Sequence, residues 1–263
     1  MIKLQAILLL ILASLTPFYL SAQEPVTWHG HLCAVALTYD DGLDIDLDNV
    51  LPALDAMGFK GTFYVNGNAT ALQARLEEWR QAAAHGHELG NHTLFHPCLG
   101  SPSRAWLQPE RDMNHYTIDR IVDEIRQANV LLQAIDGQTV RSFAYTCGDD
   151  HIGDTSFADL IRQDFVAARS VSYTSGRKAD LDLMHLPTFT VQGHTGEQLI
   201  EVVRQAMRDQ ALVTFLFHGV GGGHSMNIEL EEHRKLLEFL KAHEDEIWVA
   251  PVVEIAKELT VKN

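Results

Sequence analysis

From residue 33 onward, short apolar segments alternate with longer amphipathic segments, and this alternation constrains the fold more than any other feature of the sequence. The short segments are rich in β-branched and aromatic residues, which predicts strands, whereas the amphipathic segments carry apolar residues at helical spacing. Strands joined by helices form a mostly parallel sheet, either open or closed into a barrel. The chain has 263 residues, of which 46% are apolar, so it is long enough for one large α/β domain.

The same pattern predicts where the elements begin and end. Strands are predicted near residues 33–39, 61–65, 88–91, 140–145, 165–168, 184–189, 212–217 and 247–249. Helices are predicted over residues 47–57, 69–84, 117–135, 156–162, 197–208 and 229–243. Thr117 is predicted to cap the third of these helices and Gly137 to end it. About eight strands would favour a barrel over an open sheet.

The amino terminus resembles a secretory signal. Lys3 precedes an apolar run over residues 4–15, and the small residues Ser21 and Ala22 follow it. This pattern predicts a signal peptide over residues 1–22, a domain over residues 23–263, and a secreted or periplasmic protein. An uncleaved signal that anchors the protein is the alternative. The rest of the sequence offers no candidate membrane span, so no stable membrane insertion is expected.

The formal charge of −15 bears on possible partners. Nucleic acids and anionic membranes are bound by clustered Lys and Arg, and the basic residues of this chain form no run, so neither partner is expected. A neutral substrate is favoured instead, while the oligomeric state is left open. Three cysteines are too few for a disulfide scaffold, although export permits one bond. Cys33 lies in an apolar run and is predicted to be a buried small hydrophobic residue.

One segment, residues 98–116, lacks periodicity and contains two prolines, a tryptophan and two of the chain's arginines. Long irregular loops in compact domains are often functional. The segment is interpreted either as a surface insertion or as a wall of a substrate groove that uses Trp106 and Tyr116.

Polar residues follow several of the predicted strands. In parallel α/β folds, sites form at the carboxyl ends of strands, so these residues should converge on one rim. They are Asp40 and Asp41 in LTYDDG, His92 and His96 in HTLFHP, residues 145–150, and His218 in FLFHG.

The two adjacent aspartates and the histidine pair predict a metal centre. Two close carboxylates repel unless a cation or hydrogen bonds hold them. Two histidines and one carboxylate form a common ligand set for catalytic zinc, with a position open for water. Residues four apart on one helical turn can direct both imidazoles at one ion, and Pro97 would end that turn.

The motifs LTYDDG and HTLFHP resemble the TFDDG and His-Ser/Thr-x-x-His-Pro motifs of the polysaccharide deacetylases, the NodB-homology group or carbohydrate esterase family four. The resemblance extends over residues 33–253. It implies a distorted (β/α) barrel of about seven parallel strands and metal-dependent hydrolysis of acetyl groups on sugars. Carried over by position, Asp40 is the catalytic base and His218 the general acid. Asp41, His92 and His96 bind a divalent metal ion, with zinc the first expectation.

Two motifs of the family are altered in this chain. The third commonly reads Arg-Pro-Pro-Tyr-Gly, whereas RSFAYTCG places Arg141 three positions early and Ala144 in the arginine's place. We count Arg141 as a catalytic candidate that reaches the Asp40 carboxylate, with a surface position as the alternative. The fourth motif, Asp-x-x-Asp-Trp, has no clear counterpart, since Asp180 and Asp182 lack the tryptophan. What orients His218 is therefore left open.

In this alignment Cys98 and Cys147 both border the metal centre. Our hypothesis is a disulfide that holds the irregular segment to the rim. The alternatives are two free thiols or, less simply, coordination of the metal, which already has three ligands.

Several functions are compatible with these residues. Within the family, acetylated xylan and N-acetylglucosamine polymers are both candidate substrates, because O- and N-acetyl groups need the same metal core. A carbohydrate-binding protein that kept the fold without activity is the alternative from another class. A phosphoesterase would need more carboxylates. Asp44, Asp46 and Asp48 could supply them, but are interpreted as a solvated loop and helix start.

Overall fold

The computed structural model describes residues 28–173 and 176–261, so the predicted signal peptide lies outside the described residues. Within them the strands are β1 Cys33–Asp40, β2 Thr62–Val65, β3 Glu88–Asn91, β4 Phe143–Ala144, β5 His151–Ile152, β6 Thr155–Ser156, β7 Ala168–Arg169, β8 Phe189–Thr190, β9 Leu212–Phe217, β10 Gly219–Val220, β11 Asn227–Ile228 and β12 Ile247–Val249.

The helices of this part of the chain are α1 Leu51–Met57, α2 Thr70–Ala74, α3 Leu76–Ala84, α4 Ile118–Asp136, α5 Ala158–Ile161, α6 Gly196–Asp209, α7 Leu230–Ala242 and α8 Val252–Val261. A π-helical turn, Asp46–Val50, leads into α1, and short 3₁₀ turns occupy Pro102–Arg104, Pro109–Arg111, Met113–His115, Thr146–Gly148 and Lys178–Asp180. Among the described residues, no helix is long and apolar enough to cross a bilayer.

The main sheet is a half-barrel of seven parallel strands in the order β7-β4-β3-β2-β1-β9-β8. An eighth strand, β12, pairs in parallel with residues 33–35 of β1, while β2 pairs with residues 38–40 of the same strand. The predicted distorted barrel of about seven parallel strands is confirmed. Because all of these strands are parallel, their carboxyl ends lie at one edge of the sheet, where α/β folds place their sites.

Strand β1 lies at the centre of the core. All eight of its residues are buried, as expected for the near-continuous apolar sequence of a strand covered on both faces. Tyr39 pairs in register with Phe63 on one side and Phe217 on the other, and its ring stacks on each at a centroid distance of 5.2 Å. This packing fixes the end of β1, from which Asp40 extends.

The predicted elements agree with the structure best where a segment is long or clearly bounded. Thr117 caps α4 by accepting from the backbone N–H of Arg120, and Gly137 ends it in the left-handed region with a φ of 72°, as predicted. The helix predicted over residues 69–84 is instead broken at Arg75. The strands predicted near residues 140–145, 165–168 and 184–189 contract to two residues each, and α8 was not predicted.

Candidate active site

Asp40 and Asp41 follow one another at the end of β1 and line the same cavity, which has a volume of about 1100 Å³. Successive side chains of a strand point to opposite faces, so a turn must intervene. Asp41 supplies it with a φ of 77°, and its backbone N–H donates to the carbonyl of Tyr64 at 3.0 Å. Asp40 is buried, and its Oδ2 accepts a hydrogen bond from Nη2 of the fully buried Arg169.

His92 and His96 follow β3 in a tight loop. The single helical turn predicted here is wrong, because Thr93 and His96 have φ values of 64° and 54°, in the left-handed region. Side chains hold this backbone: Thr93 N–H donates to Asn91 Oδ1 at 2.8 Å, and His96 N–H donates to Thr93 Oγ1 at 2.9 Å. Nδ1 of His92 lies 2.9 Å from the carbonyl oxygen of Ala144. A carbonyl can only accept, so Nδ1 carries the proton and Nε2 presents its lone pair to the cavity.

The two imidazoles meet the Asp41 carboxylate. His96 Nε2 lies 3.3 Å and His92 Nε2 3.7 Å from Asp41 Oδ1, and the donor atoms of the three residues lie within 4.8 Å of one another. Oδ1 of Asp41 is buried without a hydrogen-bond donor among the described residues. This carboxylate oxygen and the two imidazole nitrogens form a donor set that suits a divalent cation. These three residues could therefore hold the expected metal ion.

The charge states of these groups suit metal binding. Burial lowers the pKa of His92 to about 4, so its imidazole is neutral at neutral pH. Burial alone would raise the pKa of Asp41, but His96, His92 and His218 lower it below its ordinary value, so the carboxylate is ionised. Neutral imidazole and ionised carboxylate are the forms that coordinate a metal.

His218 follows β9 on the opposite side of β1 from β3, and its Nε2 lies 3.9 Å from Asp41 Oδ2. Its ring is stacked on His224 at a centroid distance of 4.6 Å and an interplanar angle of 16°. Burial lowers the pKa of His218, although Asp40 and Asp41 act in the opposite direction. Asp182, which the sequence offered as a possible partner of His218, pairs instead with His185 at 2.9 Å. The neighbour of His218 is His224, which the sequence analysis missed. The glycine-rich run shortly after β9 returns the chain to the cavity at His224, and this run was the sequence signal that could have identified His224.

The predicted contact between Arg141 and Asp40 is wrong. Arg141 precedes β4 and donates to the carbonyls of Leu89 and Gln138, each at 2.6 Å, and to both oxygens of Asp136 at 3.1 Å. It therefore lies towards the amino end of its strand, whereas the site is built at the carboxyl ends. Arg169, at the carboxyl end of β7, pairs with Asp40 instead. Its place directly after the strand predicted to end at residue 168 was the signal that could have identified it.

Cys98 and Cys147 form a disulfide with a Cα–Cα distance of 5.8 Å, which confirms that hypothesis. The bond joins the chain directly after His96 and Pro97 to the turn Thr146–Gly148. Cys98 Sγ lies 3.7 Å from Nδ1 of His96, so the disulfide packs against a predicted metal ligand. Cys33 is a buried free cysteine, as predicted.

The irregular segment, residues 98–116, borders the cavity, but only one of its two predicted aromatic residues lines it. Trp106 does, whereas Tyr116 is buried in a separate apolar cluster beneath the segment, so the prediction for Tyr116 is wrong. The interpretation of the acidic loop after Asp41 was also partly wrong. Asp44 and Asp48 are exposed and pair with Arg75, but Asp46 is fully buried and accepts from Leu43 N–H at 2.8 Å.

Sequence comparison matches residues 33–164 to the family model described as polysaccharide deacetylase. A gellan lyase of Bacillus sp is 26% identical over 159 residues, which cover 60% of this chain and 6% of that protein. A chitin deacetylase of Colletotrichum lindemuthianum is 39% identical over 74 residues, which cover 27% of this chain and 30% of that protein. The chain thus spans less than a third of the length of either relative.

Solved structures share the fold at low identity. A polysaccharide deacetylase structure from Mycobacterium smegmatis superposes with a TM-score of 0.64 at 20% identity and covers 90% of this chain and 94% of its own. A family-four carbohydrate esterase domain of a xylanase from the hindgut metagenome of Trinervitermes trinervoides gives 0.55 at 17% identity, with 86% and 90% covered. A family-four pseudoenzyme from Bacillus anthracis gives 0.54 at 18% identity, with 89% and 67% covered. The family model matches half of this chain, and the half-barrel is common to these structures. The chain therefore belongs to the polysaccharide deacetylase family.

Proposed function

We propose that the protein is a zinc-dependent carbohydrate deacetylase that hydrolyses O- or N-acetyl groups of a polysaccharide or oligosaccharide. One observation carries the proposal. The donor atoms of Asp41, His92 and His96 converge within 4.8 Å in a cavity that also contains Asp40 and His218. On this proposal, three ligands, a base and an acid line the cavity that receives the acetyl group.

Asp41, His92 and His96 would hold the ion. When bound, a divalent zinc ion supplies a Lewis acid that polarises the acetyl carbonyl and makes water a better nucleophile. Asp40 takes the proton from the attacking water, and Arg169 keeps that carboxylate oriented through its buried hydrogen bond. The backbone N–H of Thr146 or Cys147, in the turn beside the cavity, is the proposed donor to the oxyanion.

His218 donates a proton to the departing alkoxide or amine. Its Nε2 lies 3.9 Å from Oδ2 of Asp41, whereas Nε2 of His92 lies 3.7 Å from Oδ1 of the same carboxylate. The stacked His224 restricts rotation of the His218 ring and takes the place of the missing fourth motif in orienting it.

We further propose that the protein acts outside the cytoplasm. The leader-like sequence over residues 1–22 and the Cys98–Cys147 disulfide both favour an oxidising compartment. An acidic surface favours a neutral glycan as substrate, and acetylated xylan and N-acetylglucosamine polymers are both candidates.

The second candidate function is binding of a carbohydrate without catalysis. It is favoured by one observation, the likeness of the fold to that of a family pseudoenzyme. The presence of Asp40, Asp41, His92, His96 and His218 in one cavity argues for the active enzyme instead.

Acetate release separates the two functions. The enzyme, stripped of metal and then restored with zinc, is incubated with acetylated xylan and with N-acetylglucosamine oligomers. His92→Ala is the inactive control, and His115→Ala, which changes an exposed histidine of the irregular segment, is the matched active control. Release by wild type and His115→Ala but not by His92→Ala supports the deacetylase. Binding of either glycan without any acetate release supports the binding protein.

A further inference from the structure

Trp106 is the most exposed large apolar residue in the described part of the chain, with 62% of its surface accessible. Trp28 and Trp79, by contrast, are fully buried. An exposed indole does not contribute the free energy that its burial would provide. An exposed tryptophan inside a concave site therefore indicates that a ligand covers it. Trp106 lines the same cavity as Asp41 and His92.

The backbone that carries Trp106 is anchored on both sides. Arg104, two residues earlier, donates to the carbonyls of Leu99 at 2.9 Å and Cys147 at 3.1 Å and pairs with Asp149. The Cys98–Cys147 disulfide ties the start of the segment to that same turn.

Asp112 holds the other end of the segment. Its Oδ1 accepts from the backbone N–H groups of Gly100 at 2.8 Å and Asn114 at 2.9 Å. A Cβ at Gly100 would lie 2.2 Å from Asp112 Oδ2, so glycine is needed for this close approach. The tryptophan is therefore presented by a pre-organised loop, and a ligand that binds it does not need to order the chain first.

The surroundings of Trp106 indicate the chemistry of the ligand. Gln108, two residues after Trp106, lines the cavity together with the indole and offers its amide side chain. A pyranose ring offers C–H groups on its face, which pack on an aromatic ring, and hydroxyls at its edge, which exchange hydrogen bonds with amides.

We propose that Trp106 forms a binding subsite for a neutral pyranose unit adjacent to the unit that carries the acetyl group. The choice of a glycan as ligand rests on the proposed function. The subsite makes the protein prefer oligosaccharides over single acetylated sugars, because a chain can contact Trp106 and the site at Asp41 together within the cavity that both line.

Direct binding tests this subsite without catalysis. In the His92→Ala background, N-acetylglucosamine tetramer and xylotetraose are titrated against the protein by calorimetry and tryptophan fluorescence. We expect Trp106→Ala to weaken binding by about tenfold or more, and Trp106→Phe to retain most of it. Tyr173→Ala, which removes an exposed aromatic residue outside the cavity lining, should bind like the parent. Equal binding by Trp106→Ala and the parent, or no binding of either glycan, overturns the proposal.

Turnover then tests the subsite separately from the proposed function. In the active background, Trp106→Ala should raise KM for the acetylated tetramer about tenfold and lower kcat/KM for a small phenyl acetate ester by a much smaller factor. An equal loss on both substrates would show a structural effect and contradict the subsite. If no acetylated glycan is hydrolysed while the tetramer still binds through Trp106, the deacetylase proposal fails and the subsite stands.

Discussion

Arg169 on β7 and Asp40 on β1 are joined by a buried hydrogen-bonded ion pair, although three strands of the sheet, β4, β3 and β2, lie between them. The pair spans the mouth of the half-barrel. The two side chains can meet only because the sheet curves and brings the ends of β7 and β1 towards each other. Arg169 also lies 5.0 Å over the ring of Tyr64, which limits its movement. The position of the proposed base is thus determined by the curvature of the sheet as well as by the end of β1.

Removing this arginine should impair catalysis more than substrate binding. Arg169→Ala leaves the Asp40 carboxylate buried without its cation, and we expect kcat to fall by about 10²–10³-fold, within the usual contribution of a general base. Arg169→Lys keeps the charge but not the guanidinium geometry and should recover part of the rate. Steady-state kinetics on the preferred acetylated glycan measure both effects. An unchanged kcat in Arg169→Ala would show that Asp40 needs no such partner.

Arg141 provides the matched comparison, because it is a second buried arginine in an ion pair but lies away from the cavity. Arg141→Ala leaves Asp136 uncompensated, so the free energy of unfolding should fall by about 3–5 kcal/mol. The folded fraction should keep the kcat of the wild type. Urea unfolding and kinetics corrected for active-site content test this pair of expectations. A specific loss of kcat would return Arg141 to the catalytic machinery.

Zinc binding should distinguish the ligands from the base. Equilibrium dialysis of metal-free protein should give one tight site in the wild type, with affinity reduced about 100-fold or more in His92→Ala. Asp40→Asn should still bind the ion, because Asp40 is assigned to proton transfer. If Asp40→Asn loses zinc as completely as His92→Ala, Asp40 is a ligand and the assignment of the base is wrong.

The disulfide should stabilise the protein and the site together. It closes a loop over a sequence separation of 49, and replacing both cysteines in Cys98→Ser/Cys147→Ser should cost about 2–4 kcal/mol of unfolding free energy. Acetate release should fall as well, because Cys98 packs against His96. Cys33→Ser, at a free cysteine, serves as the control for loss of sulfur. Equal activity in the double variant and the wild type would separate the bond from the site.

Stability should decline in mild acid because of two buried histidines outside the proposed metal centre. Burial lowers the pKa of His87 and of His233 to about 4, below the ordinary value of 6.5. Above pH 6.5 both states carry neutral imidazoles and stability is full. As the pH falls from 6.5 towards 4, only the unfolded chain takes up the protons, so stability is lost.

Each histidine should account for about 1–3 kcal/mol of this loss. His233→Gln cannot titrate, and its amide can still hydrogen-bond to the Tyr39 hydroxyl, which lies 2.8 Å from Nε2 of His233. Urea unfolding at pH 7.5 and pH 4.5 should therefore show a smaller difference for His233→Gln than for the wild type. An identical difference in both proteins would rule out His233 as a source of the acid sensitivity.

The alternation of apolar and amphipathic segments was enough to predict a mostly parallel sheet and strands such as β3, because tertiary packing there agrees with local pattern. The distorted barrel of about seven strands was implied by the resemblance to the family. The sequence pattern failed where the position of a single side chain was in question. In a strand of only two residues, β4, the sequence does not reveal at which end Arg141 lies, and the wrong arginine was assigned to Asp40. Asp46 resembles its exposed neighbours Asp44 and Asp48 in sequence, yet a hydrogen bond from Leu43 N–H accompanies its complete burial.

The predicted ligand residues lie together in the structure, whereas the backbone predicted to present them was wrong. His92 and His96 are four residues apart, as in a helical turn, but Thr93 between them is β-branched and adopts a positive φ that such residues rarely occupy. Two hydrogen bonds support that conformation: Thr93 N–H donates to Asn91 Oδ1, and Thr93 Oγ1 accepts from His96 N–H. Both depend on the completed fold.

The left-handed backbone at Asp41 and His96 also decides which replacements at these positions yield a readable experiment. Aspartate, asparagine and histidine enter this region more readily than alanine does, so an alanine scan would change the turn and the donor atom at once, with a strain of about 1–2 kcal/mol mixed into any loss of metal. Asparagine at position 41 removes the charge while retaining the shape of the turn. At both residues the chemical role is measurable only with substitutes that tolerate the same φ.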